Sequence, residues 1–158
     1  MHPPSPGRVR EEHTLSVRGL RRDYGVDRGR FRETLLAVLS GENAPGGSVS
    51  VSFVSASVMR RTNHEYRGVD SETDVLSFSY LDEPFNHGVL GEIHVCEAVT
   101  RRQAAENHCA TDEEIARVAV HGLLHVLGYE HDTPESRRKM LRRQEKYLKR
   151  YLSRSASC

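Results

Sequence analysis

Residues 111–131 read TDEEIARVAVHGLLHVLGYEH. Thr111-Asp112-Glu113-Glu114 has the form of a capping box and predicts a helix start. That helix carries His121 and His125, four residues apart and therefore on one face, one turn above the other. Gly128 predicts the stop, because a glycine just past the last turn takes the left-handed conformation cheaply. The chain can reverse there and return His131 to the same place. Three imidazoles then converge on one ion at about 2.0–2.1 Å, the ordinary zinc–nitrogen distance. Three protein ligands leave one tetrahedral position open, which is the catalytic rather than the structural habit of zinc. Nickel, cobalt, iron and copper suit the same donors. A single histidine would read as an ordinary surface or core residue. Three at this spacing, with the glycine in the gap, read as a metal site on a helix and the turn after it.

The spacing is that of the long zinc-protease motif His-Glu-x-x-His-x-x-Gly-x-x-His. Gly122 stands where that motif has its general-base glutamate. A glycine has no side chain to take a proton, so the metal cage is kept and the peptidase chemistry is not expected.

Outward from this stretch the chain alternates strand and helix patterns. Residues 13–18 read as a short first strand. Phe31, Leu35, Leu36, Val38 and Leu39 recur at helical spacing, with Gly41 as the expected stop. Residues 48–53 alternate polar and apolar with period two, a half-buried strand. Val58, Met59, Thr62 and Tyr66 predict a helix ending near Arg67 and Gly68. Leu76, Phe78 and Tyr80 mark another strand, residues 81–89 a turn-rich loop, and Ile93 and Val95 a further strand. The helix between the strands at 48–53 and 76–80 permits those two to pair in parallel, and the short loop after them permits an antiparallel hairpin. Residues 97–107 read as a helix. Asp132-Thr133-Pro134-Glu135 signals another helix start, followed by an apolar stripe of Met140, Leu141, Tyr147, Leu148, Tyr151 and Leu152. The fold class is α+β (mixed α/β): a single domain, residues 13–158, with a sheet of about four strands and helices packed on it.

The bulk numbers agree. A chain of 158 residues, 37% hydrophobic and 28% charged, fits one domain with one core. No apolar run approaches the roughly 20 residues that span a bilayer, so no membrane role is expected. Residues 1–12, rich in Pro, Gly and charge, read as a disordered lead-in with no signal-peptide pattern. Cys96, Cys109 and Cys158 form no Cys-x-x-Cys pair, which argues for a reducing compartment, and the cytoplasm is the expected setting. His108 beside Cys109 does not read as a second metal site, since adjacent helical residues point apart. Net charge is +1, yet residues 136–154 hold nine Lys or Arg and one acid, Glu145. That face reads equally as a solvated helix and as a surface for phosphate.

The histidine run, with Asn63-His64-Glu65-Tyr66-Arg67-Gly68, Thr73-Asp74-Val75-Leu76-Ser77-Phe78 and Leu90-Gly91-Glu92-Ile93, resembles the bacterial YbeY family over roughly residues 48–152. The resemblance departs at Glu130 and Glu92, where the family usually has Asp, and at Thr62, where it usually has Leu. It implies a zinc-dependent, single-strand-specific endoribonuclease of ribosomal RNA maturation. One Zn2+ would sit on His121, His125 and His131, and Arg67 would be the residue most tied to activity. It further implies RNA (a ribosomal RNA precursor) and the small ribosomal subunit or its assembly factors as partners, and no DNA.

The residues read alone leave more open. Arg67 fits a phosphate contact and a helix C-terminal cap equally. Asp74 could receive the free N–H of a metal-binding histidine or cap a turn before its strand. Glu130 and Asp132 are candidate bases or substrate contacts. His94 sits on the polar phase of its strand and reads as solvent-facing. The leading mechanism is metal-assisted hydrolysis of an RNA phosphodiester. The rival from another class is a non-catalytic ribosome-assembly factor with structural zinc and the basic last helix as its RNA surface.

Overall fold

Alternation of apolar residues produces the strands, and their burial orders them. The protein is described by a computed structural model for residues 12–153. The lead-in read at residues 1–12 lies outside the described residues apart from Glu12, as does Cys158. Strands β1 His13–Arg18, β2 Gly47–Val54, β3 Val75–Ser79 and β4 Val89–Cys96 form one mixed sheet in the order β1-β2-β4-β3. β1, β2 and β4 run parallel, and β3 pairs antiparallel with β4. The helices are α1 Arg28–Gly41, α2 Ala56–Arg67, α3 Glu97–Glu106, α4 Thr111–Val126 and α5 Pro134–Ser153.

The hairpin is as expected, but β2 and β3 are not partners because β4 lies between them. Burial gives the reason. Leu90, Gly91, Ile93, Val95 and Cys96 of β4 are all buried, while β3 buries only Leu76. The more apolar strand takes the interior of the sheet and the shorter, more polar one takes the edge.

Leu15, Val49, Val51, Ile93 and Val95 point to the sheet face on which α1, α4 and α5 build the main core, around Phe31, Leu123, Leu124 and Leu148. α2 covers part of the opposite face through a small cluster of Met59, Leu76 and Cys96.

The helix ends follow local chemistry. Asp27 caps α1 through the Arg30 amide, and Ser55 caps α2 through that of Val58. Gly68, with φ 70°, closes α2 as expected. α5 opens with Pro134 in its first turn and Thr133 accepting from the Ser136 amide at 3.0 Å.

Three readings need correction. The cap of α4 is Ala110, not Thr111, and no side chain caps it; Glu114 is instead drawn to Arg117 at 2.6 Å and accepts from the Cys109 thiol. α1 does end at Gly41, as expected, although the left-handed residue is Asn43 and Gly41 is where the Tyr147 ring of α5 packs against the helix. Leu141 leaves the apolar stripe and is exposed, with buried Gln144 on the core-facing side of α5 instead. His94 is half-buried, stacked edge-on against Phe78, because α2 and β3 shield that part of the sheet. Its Nδ1 finds no partner among the described residues, and burial pushes its pKa down.

Candidate metal centre

α4 ends in a double hydrogen bond. The Gly128 amide donates to the His125 carbonyl and the Tyr129 amide to the Leu124 carbonyl, each at 3.0 Å. Gly128 itself has φ 101°, in the region that favours glycine. This is a Schellman turn, and it folds the chain back so that His131 meets the two helical histidines. The ring centroids of His125 lie 4.6 Å from His121 and 4.7 Å from His131. One nitrogen from each of the three rings falls within 4.8 Å of the other two.

The rings are aimed by the groups behind them. His121 Nδ1 lies 2.8 Å from the Gln144 side-chain oxygen on α5, and His125 Nδ1 lies 2.8 Å from the Tyr129 carbonyl. Each oxygen can only accept, so each Nδ1 carries the proton and donates it. Both Nε2 atoms are then left as lone pairs, and they face one another at 3.1 Å. Two lone pairs at that separation repel, and a cation between them removes the conflict. The separation is close to the roughly 3.3 Å edge of a tetrahedron built with zinc–nitrogen bonds of about 2.05 Å. Burial, reinforced by the neighbouring His121 and His131 rings and opposed by the Tyr129 carbonyl, pushes His125 down to about 4. It is neutral near pH 7, as a metal ligand must be. Three imidazoles brought together, two of them held in the correct tautomer, fit a divalent transition metal.

Gly122 is explained by packing. A Cβ there would sit 3.0 Å from Ile93 Cγ2, Ser77 Oγ and Val75 Cγ2. The residue after the first histidine points into the sheet, so α4 can lie this close only without a side chain. Ser77 and Ser79 complete the seam by donating to the Gly122 and Val126 carbonyls at 2.9 and 2.7 Å.

The histidines open into a cleft of 620 Å³ whose lining includes Arg67, Asp74, Ser77, Asp82 and Glu130. Arg67 is exposed in the last turn of α2. Asp74 accepts from the Val75 amide at 2.8 Å and from Thr73 Oγ1 at 3.3 Å, so it caps the turn before β3 and, among the described residues, hydrogen-bonds no histidine ring. Glu130 is exposed at the rim. Asp132 is not in the cleft lining and accepts from Ser136 Oγ at 3.3 Å at the start of α5.

The model of the family described as endoribonuclease YbeY matches residues 24–152. The chain belongs to the YbeY family. Among its relatives, endoribonuclease YbeY of Geobacillus thermodenitrificans is 42% identical over 120 residues, covering 70% of this chain and 77% of that protein. The Moorella thermoacetica endoribonuclease YbeY is 34% identical over 146 residues, 84% of this chain and 94% of the relative. The solution structure of TM1509 from Thermotoga maritima superposes with a TM-score of 0.66 at 27% identity, over 91% of this chain and 93% of that one.

Measured against this YbeY fold, sequence reasoning missed Gln144, Tyr129 and Glu42. Gln144 could have been found as the one polar residue on the buried side of α5. Tyr129 acts through its backbone carbonyl, which no side-chain pattern reveals. Glu42 lies 87 residues from its partner Tyr129, and only the fold brings them together. Glu92, one of the departures, accepts from the Tyr80 hydroxyl at 3.3 Å and does not line the cleft.

Proposed function

We propose that the protein is a single-strand-specific endoribonuclease that hydrolyses RNA phosphodiester bonds with zinc at His121, His125 and His131, in the maturation of ribosomal RNA. One observation carries the reading: two histidines fixed as lone-pair donors by Gln144 and Tyr129, facing each other at 3.1 Å at the floor of an open cleft. Zinc bound there supplies Lewis-acid chemistry and a water acidic enough to react near neutral pH. The chain's own residues do the rest. Arg67 presents a planar fork of donors to a phosphate and stabilises the negative charge that grows on it. Glu130 is an exposed carboxylate at the rim, next in sequence to the ligand His131, and serves as the proton acceptor. Asp132 is engaged with Ser136 and Asp74 with its own turn, which leaves both poorly placed for that role. Gly122 excludes the peptidase route, because its position faces the sheet and not the metal.

The partners implied are a ribosomal RNA precursor and the small ribosomal subunit or its assembly factors, with no role for DNA. No helix among the described residues is long and apolar enough to cross a membrane. Free thiols at Cys96 and Cys109 fit a cytoplasmic setting.

The deciding experiment is cleavage of a single-stranded RNA by the purified protein before and after chelation and zinc readdition. Activity that vanishes with the metal, returns with it and is absent in His125→Ala supports the reading. Cleavage that survives chelation defeats it. Tight zinc with salt-sensitive RNA binding and no turnover would establish a non-catalytic RNA-binding factor instead.

A further inference from the structure

β3 is the edge of the sheet, and its two sides do different things. Ser77 and Ser79 face α4 and line the histidine cleft. Phe78 points to the opposite side, where the Tyr66 ring meets it edge-on, 5.0 Å between centroids and 64° between planes. Phe78 rests in turn on His94, at 5.4 Å. Tyr66 is 69% exposed. The next residue, Arg67, lines the cleft. The last turn of α2 therefore sets a guanidinium on the catalytic side of the edge strand and a braced, open aromatic ring beside it.

The exposed Tyr66 ring offers an open aromatic face directly beside the cleft-lining Arg67. The Phe78 contact fixes the ring's orientation, so covering it costs little further side-chain entropy. The occupant follows from continuity with the cleft. A chain whose phosphate reaches Arg67 carries its next base within reach of Tyr66, and bases stack on aromatic rings regardless of sequence. Only unpaired bases can do so, since a duplex hides their faces.

We propose that Tyr66, braced by Phe78, is the platform on which an unpaired base stacks while the adjoining phosphate sits at Arg67, and that this contact selects single-stranded over duplex RNA. The inference rests on the nuclease reading and names the part of the substrate that the cleft leaves uncovered.

The test is steady-state cleavage of a short single-stranded RNA by the zinc-loaded full-length protein and its Tyr66→Ala, Tyr66→Leu and Tyr66→Phe variants. Loss of one base stack predicts KM raised about 5- to 100-fold in Tyr66→Ala and Tyr66→Leu, with Tyr66→Phe close to wild type. Zinc content and melting temperature stay unchanged, and the preference for single-stranded over duplex RNA narrows. An abasic ribose-phosphate oligomer used as competitor inhibits wild type and Tyr66→Ala equally. A Tyr66→Ala KM within twofold of wild type overturns the inference while the nuclease reading stands. Equal weakening toward the abasic competitor also overturns it, because the lost contact was then not to a base. A wild-type protein that cleaves no RNA with zinc removes the nuclease reading and this inference together.

Discussion

Glu42, one residue past the end of α1, accepts a hydrogen bond from the hydroxyl of Tyr129, whose own carbonyl holds His125. The Tyr147 hydroxyl of α5 donates to the same carboxylate at 2.6 Å, and Arg143 lies 3.9 Å away. The Glu42 side chain is only 6% exposed. Burial alone would raise its pKa, but the two tyrosine hydrogen bonds with Arg143 and Lys146 outweigh that and hold it below the usual carboxylate value. One buried anion thus ties α1, the metal turn and α5 together. Tyr129→Phe removes one donor and leaves the carboxylate less satisfied. It should cost ~1–3 kcal/mol in chemical denaturation and weaken zinc by up to about tenfold. Zinc affinity equal to wild type in a destabilised Tyr129→Phe would show that the brace serves the fold alone.

Gly122→Glu restores the residue of the peptidase motif and should create no peptidase. The new side chain would enter the seam between α4 and the sheet, where Ile93, Ser77 and Val75 already crowd the Cβ position. Overpacking and a buried carboxylate together should cost at least ~3 kcal/mol. Thermal melting and a peptide-hydrolysis assay check both halves. A stable variant that cleaves peptides would mean that this position can turn toward the metal.

Gln144→Leu keeps the volume on α5 and removes the acceptor for His121 Nδ1. Without it the ring is free to change tautomer or rotate, and zinc affinity should fall roughly 10- to 100-fold. Titration with a zinc indicator measures this. Wild-type affinity in a folded Gln144→Leu would remove Gln144 from the account of the site.

The legible parts of this molecule were those written in local spacing. The four-residue separation of His121 and His125 fixes a shared helix face, and Gly128 marks the reversal, so the clustering of the three histidines could be read before any fold was known. The hairpin β3–β4 and the strand at residues 13–18 were legible for the same reason. The position of β4 between β2 and β3 was not, because strand order depends on which strand buries more apolar surface against several helices at once. His94 was misread because alternation along β4 says nothing of α2 covering the other face. The groups that aim the histidines were hidden for a third reason: a backbone carbonyl carries no sequence signal, and Glu42 meets Tyr129 only through tertiary packing.

The metal-free protein should lose stability in mild acid, and His125 gives the sign. Its folded pKa is about 4 against an ordinary 6.5. Below pH 6.5 the unfolded chain takes up a proton that the folded chain refuses, so stability falls as pH drops from 6.5 toward about 4 and is flat above that window. Burial is the leading cause, so His125→Leu should flatten this part of the profile. Denaturant midpoints across the window, measured with chelator present, read the effect directly. Bound zinc should steepen the acid limb, because protons then compete with the metal for the same nitrogen. Parallel wild-type and His125→Leu profiles would refute the assignment.

Arg67→Ala separates substrate chemistry from metal binding. Arg67 lines the cleft but makes no bond to the histidines or to the groups that orient them. Its removal should therefore leave zinc content and melting temperature unchanged. A charge-assisted contact to the phosphate is worth ~1.5–3 kcal/mol, which corresponds to about a 10- to 100-fold loss in kcat/KM for RNA cleavage. Arg67→Lys keeps the charge and loses the planar fork, so it should recover only part of that loss. Where the loss falls is informative. A contact that strengthens as charge develops lowers kcat, whereas one that binds ground and transition states alike raises KM only. The Arg67 variant should show its loss mainly in kcat, and Tyr66→Ala mainly in KM, because a stacked base does not change charge during the reaction. Zinc lost from Arg67→Ala would instead assign this arginine to the closing turn of α2 and to the fold.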